Sequence, residues 1–317
     1  MLNSPLVSII IPTFNRANLI GETLDSVIGQ TYTNWECIVI DDGSTDGTDK
    51  LLNIYLQKDT RIQYLQRPSE RPKGANSCRN YGFEFSRGEY VNWFDSDDIM
   101  HPEKLEIQIN QLENSRLNYS VCQSLVFENI IDNIIGLRSP KICSDNNFRD
   151  YLGREVVWLT DSPIWKRHFL SQFEYLFDEK LQAAQEYEFY CRVLYESPRY
   201  EITEKPLVYI RKHTDSISYN SIKKKRMFHY FLARYKILNN DKIILDNEST
   251  KVLKCFLITN FKGLVVERAL NFGLVAFKLF VSKEKNFSIR TKVKLFLSIF
   301  SFYLFRKGEV LLKTESF

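Results

Sequence analysis

Asp95-Ser96-Asp97-Asp98 puts three carboxylates into four residues. Like charges this close repel one another unless something cationic lies between them. An all-oxygen set on a short loop suits Mg²⁺ or Mn²⁺, which take a few carboxylates together with phosphate oxygens. The same residues also read as a solvated acidic turn capping the next helix, since Asp is favoured there. Their place directly after the apolar Trp93-Phe94, at a strand end, tilts the reading toward a metal. A second acidic pair, Asp41-Asp42, runs into Gly43-Ser44. Such a pair can accept hydrogen bonds from a ribose or a nucleobase, and Asp-Gly-Ser is equally ordinary turn chemistry. The first strand leads to Pro12-Thr13-Phe14-Asn15 rather than G-x-G-x-x-G, and no G-x-x-x-x-G-K-[ST] occurs. That weighs against a nicotinamide dehydrogenase and a P-loop NTPase. A diphosphate here would rely on a metal and basic side chains.

These loops need elements to hold them. Val7–Ile11 is a short β-branched run stopped by Pro12 and reads as a buried strand. Helical spacing follows from about Ala17 to Gly29, then a strand at Trp35–Ile40 that ends in the first acidic pair. A helix near Thr48–Gln57, a strand near Ile62–Gln66 and a helix over Ala75–Ser86 come next. Gly88 stands where a helix C-cap favours glycine. Tyr90–Phe94 is the strand that runs into the acidic cluster, and Pro102 starts a helix to about Ser115. Alternation of this kind predicts an α/β fold in which helices cover a largely parallel sheet. Ligands of such sheets sit at the carboxyl ends of the strands, which is where both acidic pieces fall. Beyond residue 130 the pattern is less regular, with a helix at about Ala183–Glu196 and a strand at Leu207–Ile210.

Composition bounds the rest. The 317 residues are 44% hydrophobic and 26% charged, which excludes disordered and fibrous classes. Six cysteines include no C-x-x-C pair, so neither a zinc site nor a disulfide framework is expected. The start lacks the basic and long apolar regions of a signal peptide, and the expectation is a cytoplasmic protein with reduced thiols. The net charge of +4 hides a division: residues 1–222 carry −9 and residues 223–317 carry +13. The basic part mixes Lys and Arg with Phe and Leu at helical spacing. Leu295–Phe305 is too short to span a bilayer but suits an interfacial segment flanked by cations. A helical subdomain with a basic surface is the plainer alternative. Nucleic acid is not expected as a partner, because no reader motif accompanies the charge.

The order of the blocks carries a resemblance. Ser8–Arg16, the Asp41–Ser44 turn with Thr45-Asp46, Arg79-Asn80, and Gly88-Glu89-Tyr90 leading into Asp95–Asp98 resemble family 2 glycosyltransferases of the GT-A fold. Phe177-Asp178-Glu179 and the stretch from Leu207 to Ser218 extend the likeness to about 220. The resemblance implies a GT-A catalytic domain over 1–222, with a mixed sheet flanked by helices, and a basic helical extension over 223–317. It implies an inverting, metal-dependent enzyme of the hexosyltransferase class. Such an enzyme moves a sugar from a nucleotide-sugar donor, with UDP the expected nucleotide, to a hydroxyl of a glycan or lipid-linked saccharide. Surface polysaccharide assembly, at the cytoplasmic face of the inner membrane, is the implied setting.

The same resemblance assigns roles to matching positions. Pro12, Phe14 and Asp42 would hold the base, and Arg79 would lie close to the nucleotide. Asp97 and Asp98 would serve ribose and a Mn²⁺ or Mg²⁺ ion, with Asp95 assisting. The family's acidic pair at a helix start is replaced by Gln185-Glu186, so Glu186 would be the base. Glu186 and Glu188 can equally be solvated helix faces. Arg211 and His213 match an Arg-x-His facing the phosphates or the acceptor. Two other readings stay open: a silent nucleotide-sugar-binding scaffold, favoured by Gln185, and a sugar nucleotidyltransferase, which would need a glycine-rich phosphate loop.

Overall fold

The computed structural model describes residues 4–212, 223–284 and 287–313. The chain divides into two compact units, Met1–Lys180 with Glu196–Ser216, and Leu181–Tyr195 with Ile217–Phe317.

The first unit is built on one nine-stranded sheet. Its parallel part comprises β1 (Val7–Thr13), β2 (Trp35–Asp41), β3 (Ile62–Gln66) and β4 (Tyr90–Trp93), in the order β3-β2-β1-β4. The crossovers are α1 (Ile20–Ile28), α2 (Thr48–Lys58) and α3 (Ala75–Phe85). In α1, Ile20, Thr23, Leu24 and Val27 are buried, the i, i+3, i+4, i+7 stripe that faces a sheet. Ile20, Leu24 and Val27 join Val7, Ile9, Ile11, Val39 and Phe94 in the main core. Gly88 does not cap α3, which ends at Phe85 with Ser86 extended. A Cβ at Gly88 would stand 2.6 Å from the Ser8 nitrogen and 2.8 Å from the Leu6 carbonyl, so close backbone approach to β1 demands the glycine.

The sheet is mixed: the expected parallel arrangement holds for β1 to β4 and returns where the last strand, Glu201–Lys212, pairs with Tyr119–Glu128. A two-residue β5 (Ile99–Met100) is followed by α4 (Lys104–Glu113), β6 (Tyr119–Glu128) and β7 (Ile134–Leu137). Next come α5 (Asn147–Leu152), β8 (Pro163–Lys166) and α6 (Arg167–Leu170). β9 (Glu201–Lys212) closes the unit. β8 lies antiparallel between β4 and β6, and β9 runs parallel to β6. β6 escapes a sequence reading because Ser120, Gln123 and Ser124 are buried in it. Hydrogen bonds compensate them: Gln108 donates to Ser120 Oγ at 3.2 Å, Gln123 donates to the Ser139 carbonyl at 3.0 Å, and the Ser124 and Ser162 hydroxyls lie 3.0 Å apart.

Lys104 of α4 is wholly buried, and its Nζ donates to Gln108 Oε1 at 2.8 Å. Burial pulls its pKa from 10.5 down to about 8. The native state therefore holds this proton less tightly than the unfolded chain. Its contribution to stability rises as pH climbs from about 8 to 10.5. Lys104→Met removes a charge penalty of about 3 kcal/mol at neutral pH and orphans Gln108 Oε1 at about 1 kcal/mol. The variant should be more stable than the parent at pH 7 in a denaturant titration, with the advantage shrinking toward pH 10.5.

The second unit is helical. It contains α7 (Gln185–Glu196), which runs one residue past the division, then α8 (Lys223–Leu238), α9 (Asn247–Val266), α10 (Leu270–Ala276) and α11 (Ile289–Phe305). The Asp246 and Ser288 side chains cap α9 and α11, accepting from the amides of Ser249 and Thr291. Phe231, Leu257, Phe261, Leu264, Phe280, Leu295, Ile299 and Phe302 form its core. No helix among the described residues is long and apolar enough to cross a membrane.

Candidate active site

Strand order reverses at β1, whose crossover α1 leads to β2 on one side while β4 lies on the other. Open α/β sheets leave a crevice where strand order reverses, and here β4 stops early. Pairing with β4 ends at Ile10↔Trp93, while pairing with β2 continues to Thr13↔Asp41. The Phe94 amide donates to the Ile10 carbonyl at 3.0 Å, so alternate residues of β1 address β4. Two residues on, Pro12 turns its nitrogen toward an edge that β4 has already left, and no ladder bond is lost.

The two lips of the crevice are tied together. After β1, Phe14 is 45% exposed, and Lys73 Nζ lies 5.6 Å from its ring centre. Asn15 follows with φ of +50°, a conformation Asn tolerates, and its amide donates to Ser44 Oγ at 2.9 Å. Arg16 Nε then reaches Asp97 Oδ2 on the opposite lip at 3.4 Å. Of the first acidic pair, Asp41 is buried and committed to structure. Its Oδ1 accepts from the Gly43 and Ser44 amides and the Ser44 hydroxyl, and its Oδ2 accepts from Tyr64 at 2.8 Å. Asp42 is half-buried, and Arg67 Nε donates to its Oδ1.

The acidic loop is held at every member. Arg79, buried in α3, donates to Asp95 Oδ1 at 2.8 Å, and its carbonyl accepts from Trp93 Nε1 at 3.2 Å. Asp98 Oδ1 accepts the Arg211 amide at 2.8 Å, and Thr23 of α1 donates to the Asp98 carbonyl at 2.8 Å. The guanidinium of Arg211 donates to the carbonyls of Asp97 and Asn129 and to Glu22 Oε2, and it lies over the Phe127 ring. In this arrangement Arg211 clamps the loop from the end of β9.

A carboxylate that the sequence did not single out completes the cluster. Asp161 is fully buried, and its Oδ1 accepts the Asp95 amide. Asn92 of β4 donates to the carbonyls of Asp161 and Pro163 at 3.2 and 2.8 Å, fixing the segment. Asp95, Asp98 and Asp161 each offer an oxygen within 4.8 Å of the other two. Asp161 Oδ2 has no hydrogen-bond partner among the described residues. Burial, with the charges of Asp161, Asp97 and Asp95, pushes the Asp98 carboxyl well above its ordinary 3.8. Burial and the Asp95 charge do the same to Asp161. A buried, mutually repelling oxygen trio with one unpartnered oxygen fits a hard divalent cation. Asp161 lies 66 positions from Asp95, in the stretch beyond residue 130 where the sequence pattern is less regular.

Residues 8–161 match Glycosyl transferase family 2. That segment is identified as a glycosyltransferase family 2 domain. This glycosyltransferase is 28% identical over 235 residues to an uncharacterised glycosyltransferase of Methanocaldococcus jannaschii, covering 74% of this chain and 80% of that one. It is 29% identical over 243 residues to WcaA of Escherichia coli, a glycosyl transferase assigned by name to colanic acid biosynthesis, covering 74% and 83%. A Rickettsia felis glycosyltransferase shares 40% identity over 120 residues, 38% of this chain and 19% of that protein. Among solved structures, S. aureus TarS in complex with UDP-GlcNAc superposes with a TM-score of 0.64 at 19% identity, covering 94% and 89%. The mannosyltransferase PcManGT from Pyrobaculum calidifontis, in complex with GDP-Man and Mn²⁺, gives 0.58 at 16%, covering 98% and 86%. These likenesses are of fold, and the fold is GT-A.

Glu186 belongs to the second unit, half-buried in the first turn of α7. Its neighbour Glu188 is buried and paired with Arg192 at 2.9 Å. Ala184, just before α7, has φ of +53°, a left-handed conformation that an L side chain rarely takes. His213 lies outside the described residues.

Proposed function

We propose that this glycosyltransferase transfers a sugar, with inversion, from a UDP-sugar to a hydroxyl of a glycan or lipid-linked saccharide during surface polysaccharide assembly. The observation that carries the reading is the Asp95–Asp98–Asp161 trio at the mouth of the β1/β4 crevice. The names of WcaA and of TarS in complex with UDP-GlcNAc support the polysaccharide setting and the choice of UDP. The exposed ring of Phe14 suits stacking on a base, and Asp42, oriented by Arg67, suits accepting its N–H. Arg79 holds Asp95 in place, and Arg16 and Asp97 bring opposite charges to the level where the diphosphate would lie. A Mn²⁺ or Mg²⁺ ion held by the trio would neutralise charge that gathers on the departing nucleoside diphosphate. In a single displacement the acceptor oxygen bonds to the anomeric carbon as the bond to the diphosphate breaks. Glu186 is assigned to take the hydroxyl proton.

Calorimetric titration of UDP into the protein tests this reading. Binding in Mn²⁺ that weakens at least about tenfold in EDTA is expected. Absence of binding by UDP in either condition overturns the choice of nucleotide. Absence of binding by GDP and other nucleotides as well returns the chain to the scaffold reading. Donor turnover then separates an enzyme from a binder, and the released product separates transfer from nucleotidyl chemistry.

A further inference from the structure

Helix α11 carries two apolar stripes where a surface helix needs one. Thr291, Leu295, Ser298, Ile299 and Phe302 are buried and face the core of the second unit. On the other side, Val293, Phe296, Leu297, Phe300, Tyr303 and Leu304 recur at i, i+3, i+4, i+7, i+10 and i+11, and all are exposed. Leu297 is 49% and Leu304 61% exposed, and Phe305 beyond them is 70% exposed. The stripe runs for about 16 Å along the helix at 1.5 Å per residue. An unbroken apolar strip of this kind on a surface marks an interaction site. Charge says what it meets. Arg290 precedes the stripe, Lys292 and Lys294 flank its first turn, and Arg306 and Lys307 follow it. No acidic residue occurs from Phe287 to Gly308.

We propose that this outer face of α11 lies in the interface of an anionic membrane. The apolar stripe enters the boundary between headgroups and acyl chains, and the cations at its two ends bind lipid phosphates. Every charged residue of α11 and of the two positions after it is basic, which complements lipid phosphates. The proposal deepens the reading above, because a lipid-linked acceptor places the substrate at the same surface.

Co-sedimentation of the full chain with vesicles tests it. One set contains phosphatidylcholine alone and the other phosphatidylcholine with phosphatidylglycerol. The parent should sediment with the anionic vesicles, and added salt should weaken the binding. Leu297→Glu with Leu304→Glu should lower the bound fraction at least about tenfold. Both positions are exposed, and an unchanged thermal midpoint verifies the fold. If that variant is unstable, Arg306→Gln with Lys307→Gln gives the same reading through the charge alone. A parent that stays in the supernatant with both vesicle types overturns the proposal, as does a variant that binds like the parent. A concentration-dependent dimer abolished by the glutamates would assign the face to a second copy instead. UDP titration on the same preparations keeps the two readings apart. Vesicle binding without UDP binding sinks the nucleotide assignment, and the reverse sinks the membrane face.

Discussion

Asp161→Asn should abolish the metal dependence of nucleotide binding and lower turnover by about a hundredfold or more. The substitution keeps an oxygen to accept the Asp95 amide, so the loop stays in place while one buried charge is lost. That separates ligation from architecture. In EDTA the variant should melt no lower than the parent, because the parent buries repelling carboxylates without a counter-ion. The pH dependence has a definite sign. The Asp98 and Asp161 carboxyls bind protons more tightly in the folded chain than their ordinary 3.8. Their contribution to stability is complete below that value and is lost as pH rises through the raised folded values. Metal-free parent should therefore lose stability above about pH 4 more steeply than Asp161→Asn. Mn²⁺ should restore the parent's thermal midpoint at neutral pH and leave the variant's unchanged. A variant that retains the Mn²⁺ shift would remove Asp161 from the ion's ligands.

The readable parts of this chain are those in which local pattern and tertiary role coincide. β1, β2 and β4 are buried on both faces and thus appear as short apolar runs, and the helices between the parallel strands repeat at helical spacing. The acidic loop is legible because its three carboxylates are adjacent. The antiparallel half is not legible in this way. β6 buries Ser120, Ser124 and Gln123, whose partners lie on α4, in the segment before β8 and at Ser139, and hydrogen bonds across such distances leave no periodic trace. Asp161 is hidden for the same reason, since its role comes only from Asn92 and Asp95 closing around it. Arg211 was legible as a cation near the site, but its work is visible only in coordinates. Its donors are distributed over Asp97, Asn129 and Glu22, which are far apart in sequence. Charge segregation made the basic region evident, while the outward stripe of α11 required knowing which residues the core takes.

Glu186→Gln should reduce turnover by about 10²–10⁴-fold and leave UDP affinity unchanged. Two acidic side chains occupy the first turn of α7, and the structure distinguishes them. Glu188 is buried, and both its oxygens accept from Arg192, at 2.9 and 3.1 Å. Such a carboxylate is held by structure, and Glu188→Gln should lower the thermal midpoint, because Arg192 loses its buried counter-charge. Glu186 is half-buried and has no ion pair or hydrogen bond among the described residues, so its carboxylate is available to receive a proton. The left-handed Ala184 two residues earlier sets the direction from which α7 starts, at a cost of about 1–2 kcal/mol that a purely structural turn would shed with glycine. Backbone strain beside a candidate base points to function at that turn. Glu186→Asp supplies the decisive comparison. It keeps the basicity but withdraws the carboxylate by about 1 Å, a displacement that costs a positioned base much of its rate. Partial activity in Glu186→Asp, with a pH profile like the parent's, and near-complete loss in Glu186→Gln would identify the base. Equal activity in both variants and the parent would return Glu186 to the solvated face of its helix.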